Sequence, residues 1–160
     1  LGHGIYFWEN NHERALQYAK ALRDNPRRTG PRIKTPAVLG AVIDLQNCLD
    51  FLDSNHLRLA HISYATLKDA YELVGAPILA NKVPKGSSEA LLRELDCAVI
   101  ENIHRLNDSV PFDSVRGVFM EGHTLYPGAG FNEKNHIQIC IRNPNYIKGL
   151  FLPREESQWP

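Results

Sequence analysis

Two tyrosines near the start of the chain are the first residues whose types and spacing can do chemistry. Tyr6 lies in "GHGIYFW", directly after a Gly-X-Gly turn, and Tyr18 lies in the helical pattern that follows. A strand framed by glycines lets another group approach the backbone closely. A strand tyrosine and a tyrosine on the next helix can hold a flat aromatic ring between them, with a gain of about 0.5–1.5 kcal/mol per ring pair. The same residues would also suit a hairpin edge with an aromatic core. A second chemistry-bearing run is "RDNPRRTGPRIK", where Arg23, Arg27, Arg28, Arg32 and Lys34 stand against Asp24. It reads either as a solvated loop or as a patch for a phosphate-bearing partner. A third is "LYPGAGFNEKN", a two-glycine turn that holds Tyr126, Phe131 and Glu133.

These side chains need elements to position them. Gly4–Trp8 reads as a short strand. Asn10, with Glu13 three residues on, has capping-box spacing for a helix that Asn25-Pro26 ends. "AVLGAVIDL", residues 37–45, is an apolar run of strand length, expected to lie centrally in a sheet. Residues 46–76 read as helical with a break near Asp53, and 77–87 as a loop. Ser87 or Ser88 would then cap a helix striped by Leu92, Leu95, Val99, Ile103 and Leu106. Val115–Met120 reads as a strand. In "HIQICIR", Ile137, Ile139 and Ile141 alternate with His136, Gln138 and Cys140, giving one apolar and one polar face. A Pro-containing turn follows, and "YIKGLFL" is expected to return as the partner strand. The fold class is α+β in one domain, residues 1–160.

Composition narrows the partners. The 160 residues are 43% hydrophobic, and eighteen basic residues balance eighteen acidic ones. Zero net charge gives no global pull toward nucleic acid or an anionic membrane. Cys48, Cys97 and Cys140 are widely spaced, without CxxC, so neither a structural metal site nor a disulfide framework is expected, and the setting is read as cytoplasmic. No Gly-X-Ser-X-Gly elbow surrounds Ser63, Ser87 or Ser114.

The ordered stretch "GHGIYFWENNHERALQYA" resembles the second signature of the ADP-ribosyltransferase superfamily, above all its poly(ADP-ribose) polymerase branch. That branch carries Gly-Lys-Gly-Ile-Tyr-Phe-Ala-Asp and then a helix with a further tyrosine. "YPGAGFNEKNHIQICIRNP" adds a moderate likeness to a bacterial branch. The resemblance implies a split, mainly antiparallel sheet around an NAD cleft, with helices inserted between residues 46 and 107. It implies transfer of ADP-ribose from NAD to an acceptor with release of nicotinamide, NAD being the substrate and no metal being needed.

Residue by residue, the resemblance makes Tyr6 the strand tyrosine and Tyr18 the helix tyrosine, which lies one residue beyond the family spacing. Gly4 would keep the strand start open, with Phe7 beside the cofactor. The third motif of the family is a glutamate that holds the nicotinamide ribose. Gln138 is the candidate for that place and His136 the runner-up. An amide can hold a hydroxyl but brings no negative charge, a departure that leaves a catalytically weak NAD- or ADP-ribose-binding module as the alternative. By the same resemblance Tyr126, Phe131 and Glu133 would meet the acceptor, a protein or a nucleic acid. The family's His-Gly strand has no match and is expected upstream of Leu1. Small bacterial members act as toxins restrained by an antitoxin or as agents of phage defence.

Overall fold

The structure is a computed structural model that describes residues 1–26, 31–83 and 92–154. Its frame is a four-stranded sheet in the order β1-β5-β4-β3, with a separate two-stranded ribbon of β2 and β6. β1 is Ile5–Trp8, β2 Gly40–Ile43, β3 Cys48–Asp50, β4 Ser114–Phe119, β5 His136–Ile141 and β6 Ile147–Phe151. The helices are α1 (His12–Asp24), α2 (Ser54–Leu73) and α3 (Glu94–Leu106). Every pairing is antiparallel except that of β3 with β4. The class is therefore α+β with mainly antiparallel sheets.

Strand register decides which side chains share a face. β5 is central, with Tyr6 opposite Cys140 and Trp8 opposite Gln138 on one side of it. On its other side Val115 meets Cys140, Gly117 meets Gln138 and Phe119 meets His136. Residues directly opposite point the same way, so Tyr6, Trp8, Phe119, His136, Gln138 and Cys140 all rise from one face. At the Cys140 end, α3 covers this face. Leu49, Ile100, Ile103, Phe112, Val115 and Cys140 form one buried cluster there. At the Gln138 end the face lies open.

α2 packs on α3 through a buried polar clasp. Ser63 Oγ donates to the Val99 carbonyl at 2.9 Å, and Asn102 Nδ2 donates to the Ser63 carbonyl at 3.1 Å and to its hydroxyl at 2.9 Å. The Asn102 carbonyl oxygen in turn accepts from Arg105 at 2.6 Å. The polar groups of Ser63 and Asn102 that this contact takes out of water thus keep partners.

Several local expectations need correction. Residues 37–45 are not a central strand: only Gly40–Ile43 pair, and they pair with β6 at the ribbon. β6 accordingly is not the partner of β5. Phe151 lies over Gly40, where a Cβ would come within 2.4 Å of its ring, and this contact fixes the ribbon register. Residues 48–50 form a strand, not the start of a helix; Asp53 then caps α2 by accepting from Asn55 N–H at 2.6 Å.

The cap of α1 is Asn11 rather than Asn10, its side chain accepting from Arg14 N–H at 2.9 Å. Asn10 has φ +48, a turn conformation open to asparagine. On α3 the buried set is Val99, Ile100, Asn102 and Ile103, while Leu106 is exposed and Leu92 precedes the helix. Both faces of β5 are covered at its ends, since His136 and Cys140 are buried along with Ile139 and Ile141. Ser87, Ser88, Arg27 and Arg28 lie outside the described residues.

Candidate functional site

The turn before β1 is held from two directions. Gly2 has φ +81 and rests on α3, where a Cβ would come within 2.5 Å of Glu101 Oε1. Glu101 Oε1 accepts from His3 N–H at 2.7 Å and from Arg142 Nη1 at 2.8 Å. Those two bonds outweigh partial burial and hold the Glu101 carboxyl below its ordinary range. At Gly4 a Cβ would stand 2.5 Å from the Ile141 carbonyl oxygen and 2.6 Å from Cys140 Sγ. The glycine is therefore there because β5 is so close, rather than to leave space for a ligand.

The Tyr6 hydroxyl donates to the Gly2 carbonyl at 2.6 Å. Burial, with Cys140 and Cys97 nearby, pushes its phenol well above the ordinary value, so the group stays protonated.

Between α1 and the open end of the sheet lies a cavity of about 1210 Å³. Its lining brings together Tyr6, Tyr18 and Gln138 with Glu133 from the segment before β5. These four form two pairs from opposite ends of the sequence and come from β1, α1, β5 and the β4–β5 connection. Phe7 points elsewhere: it lines a second cavity of about 860 Å³ with Ile139, Gly40, Ala41 and Phe151. Gly4 lines neither cavity. Tyr126 and Phe131 sit at the exposed tip of the connection, away from the lining. That connection is a hairpin, with Leu125 N–H bonded to the Phe131 carbonyl at 3.0 Å and Ala129 N–H to the Tyr126 carbonyl at 2.9 Å.

His136 and Gln138 have separate places. His136 is 5% exposed and does not line the cavity, whereas Gln138 does. The ring of His136 stacks on Phe119, centroids 5.6 Å apart and planes 19° apart. Arg93 also lies over the Phe119 ring, 4.7 Å from its centroid.

Further wall residues were not singled out in the sequence. Trp8 is the ring that meets Tyr18, with centroids 5.0 Å apart and planes tilted 45°. Its place was readable, because two residues beyond Tyr6 on a strand is the same face. Arg14 and Glu121 pair at 2.8 Å on the cavity wall, and Arg93 approaches Glu121 at 3.7 Å. The pairing joins α1 to the end of β4, and no local pattern announces it. Four cationic side chains, Arg14, Lys20, Arg93 and Lys134, line the cavity with three acidic ones, Asp24, Glu121 and Glu133.

In chemical terms the cavity offers aromatic faces at one wall, an amide on a rigid strand, cationic groups and two exposed carboxylates, Asp24 and Glu133. No protein family, curated protein or solved structure matches this chain. Among the described residues no helix is long and apolar enough to cross a membrane.

Proposed function

We propose that the chain transfers ADP-ribose from NAD to an acceptor and releases nicotinamide. One observation carries the reading: Tyr6 and Tyr18 of the ordered signature and Gln138, the candidate for the third motif, line one cavity although twelve and then 120 residues separate them in the chain. In this reading the nicotinamide packs on the aromatic wall of Tyr6, Trp8 and Tyr18. Gln138 holds a hydroxyl of the adjoining ribose, and the cationic groups face the diphosphate. The bond from ribose C1′ to the nicotinamide nitrogen breaks, nicotinamide leaves with the bonding pair, and the acceptor's nucleophile bonds to C1′. Glu133 accepts the proton that the acceptor loses. The cavity is ample for a dinucleotide, since ligand sites commonly measure about 300–1,000 Å³. As a bacterial toxin or phage-defence effector, such an enzyme would have a restraining antitoxin as a partner.

A second reading is favoured by the amide at position 138. A neutral side chain brings no charge to an oxocarbenium-like state, and such charge is usually the largest catalytic contribution. The chain would then bind NAD or ADP-ribose with little turnover.

The experiment is nicotinamide release from NAD by the chain, with Tyr6→Ala, Gln138→Ala and Gln138→Glu beside it. The transferase reading expects release, weaker NAD binding in Tyr6→Ala, by on the order of 1–3 kcal/mol, and faster hydrolysis in Gln138→Glu. Binding without release supports the second reading. Absence of NAD binding refutes both.

A further inference from the structure

We infer that His136 is a positioning residue for Gln138: carrying its proton on Nδ1, it grips the Gln138 amide by the nitrogen and turns the amide oxygen toward the ligand. The functional half rests on the proposed role of Gln138 in the NAD site; the placement of the proton rests on geometry alone.

The chain of bonds has a fixed direction. His136 Nδ1 lies 2.6 Å from the Lys134 carbonyl oxygen. A carbonyl only accepts, so the hydrogen sits on Nδ1. In a neutral imidazole the other nitrogen, Nε2, then presents a lone pair. Gln138 Nε2 stands 3.0 Å from it, and the Gln138 amide donates across that gap. Turned over, the amide would set its oxygen against the same lone pair, two acceptors facing one another. The orientation of Gln138 is therefore dictated from the Lys134 backbone through a ring.

The ring itself has little freedom. It is buried on the sheet and stacked on Phe119, a ring that the Arg93 guanidinium also contacts. Two residues apart on β5, His136 and Gln138 share a face, and this is why one can hold the other. A site that shows an amide oxygen selects ligands with a hydroxyl or N–H to donate, which for a nucleotide means a ribose hydroxyl. It disfavours an anionic oxygen at that point. The buried histidine thus acts through Gln138 without touching the ligand.

The test has two independent arms, both on the full chain. Nitrogen-15 NMR of histidine-labelled protein reads the tautomer, and the Nδ1–H form of His136 is expected. The Nε2–H form overturns the inference whatever the activity. In the second arm, His136→Phe keeps a ring against Phe119 and removes both hydrogen bonds. Alone it should lower kcat for nicotinamide release on the order of tenfold, about one lost hydrogen bond, with a smaller effect on KM. In the Gln138→Ala background it should have no further effect. Losses that simply add overturn the positioning role. Release that is absent in wild type, with the Nδ1–H form present, refutes the transferase reading and leaves the proton placement standing.

Discussion

Replacing Gly4 by alanine tests why the chain starts its first strand on a glycine. The new Cβ would stand 2.5 Å from the Ile141 carbonyl oxygen and 2.6 Å from Cys140 Sγ, against 3.4–4 Å for an ordinary contact. The oxygen belongs to the β5 backbone and cannot swing aside as a side-chain tip does. Sγ belongs to a fully buried cysteine in the core. Relief must come from β1 lifting off β5, and overpacking of that kind costs about 1–3 kcal/mol. At about 2–4 °C per kcal/mol for a domain of this size, melting should fall by about 2–12 °C. Gly130→Ala is the control, because a Cβ there meets nothing within 4 Å. Urea unfolding followed by tryptophan fluorescence reads both, and the Gly4 variant should lose midpoint while keeping its slope. Equal midpoints for the two variants would refute the close-approach argument and return Gly4 to a ligand role.

Three other outcomes are expected. Burial first, and Arg142 second, hold the His104 imidazole down to about 4 from 6.5, and its Nε2 is buried without a partner among the described residues. The unfolded chain therefore binds the proton more readily: stability is full above pH 6.5, falls as the pH drops toward 4, and His104→Leu should flatten that slope in urea titrations. Asn102→Ala strips the Ser63 carbonyl and the Arg105 guanidinium of a partner and should cost about 1–3 kcal/mol by the same assay; a change under about 0.5 kcal/mol would count against the clasp. Phe131→Ala, at an exposed tip outside the cavity, should lower transfer to the acceptor and spare NAD hydrolysis, and equal loss of both activities would place this tip in the NAD site.

Elements with their own local signal were legible in the sequence. α1, β4 and β5 lie close to where capping residues, apolar runs and period-two alternation put them, and Tyr6 and Gln138 face the same way because register carries alternation across strands. What was not legible depends on partners distant in the chain. β3 is three residues long and exists through its parallel pairing with β4. β6 looked like the return strand of β5, yet the turn carries it past that sheet to Gly40, where Phe151 finds a flat surface. Alternation marked His136 and Cys140 as one polar face, but not that packing of α3 and Phe119 buries them. In the site, the Arg14–Glu121 pair spans 107 positions, a separation that no window of sequence contains.

The pairing of β1 with β5 also bears on how the molecule is made. Ile5 pairs with Ile141, so the first strand emerges from the ribosome 136 residues before its partner. At about 5–20 residues per second, "IYFW" waits roughly 7–27 s without its strand partner. Loop closure over that span comes late and slowly. The aromatic wall of the cavity is thus assembled only after β5 has emerged. A nascent chain halted before residue 136 is expected to stay open to protease at Tyr6–Trp8, and one that carries β5 clear of the exit tunnel to be protected there. The order of synthesis thus withholds this face of the cavity until β5 has been made.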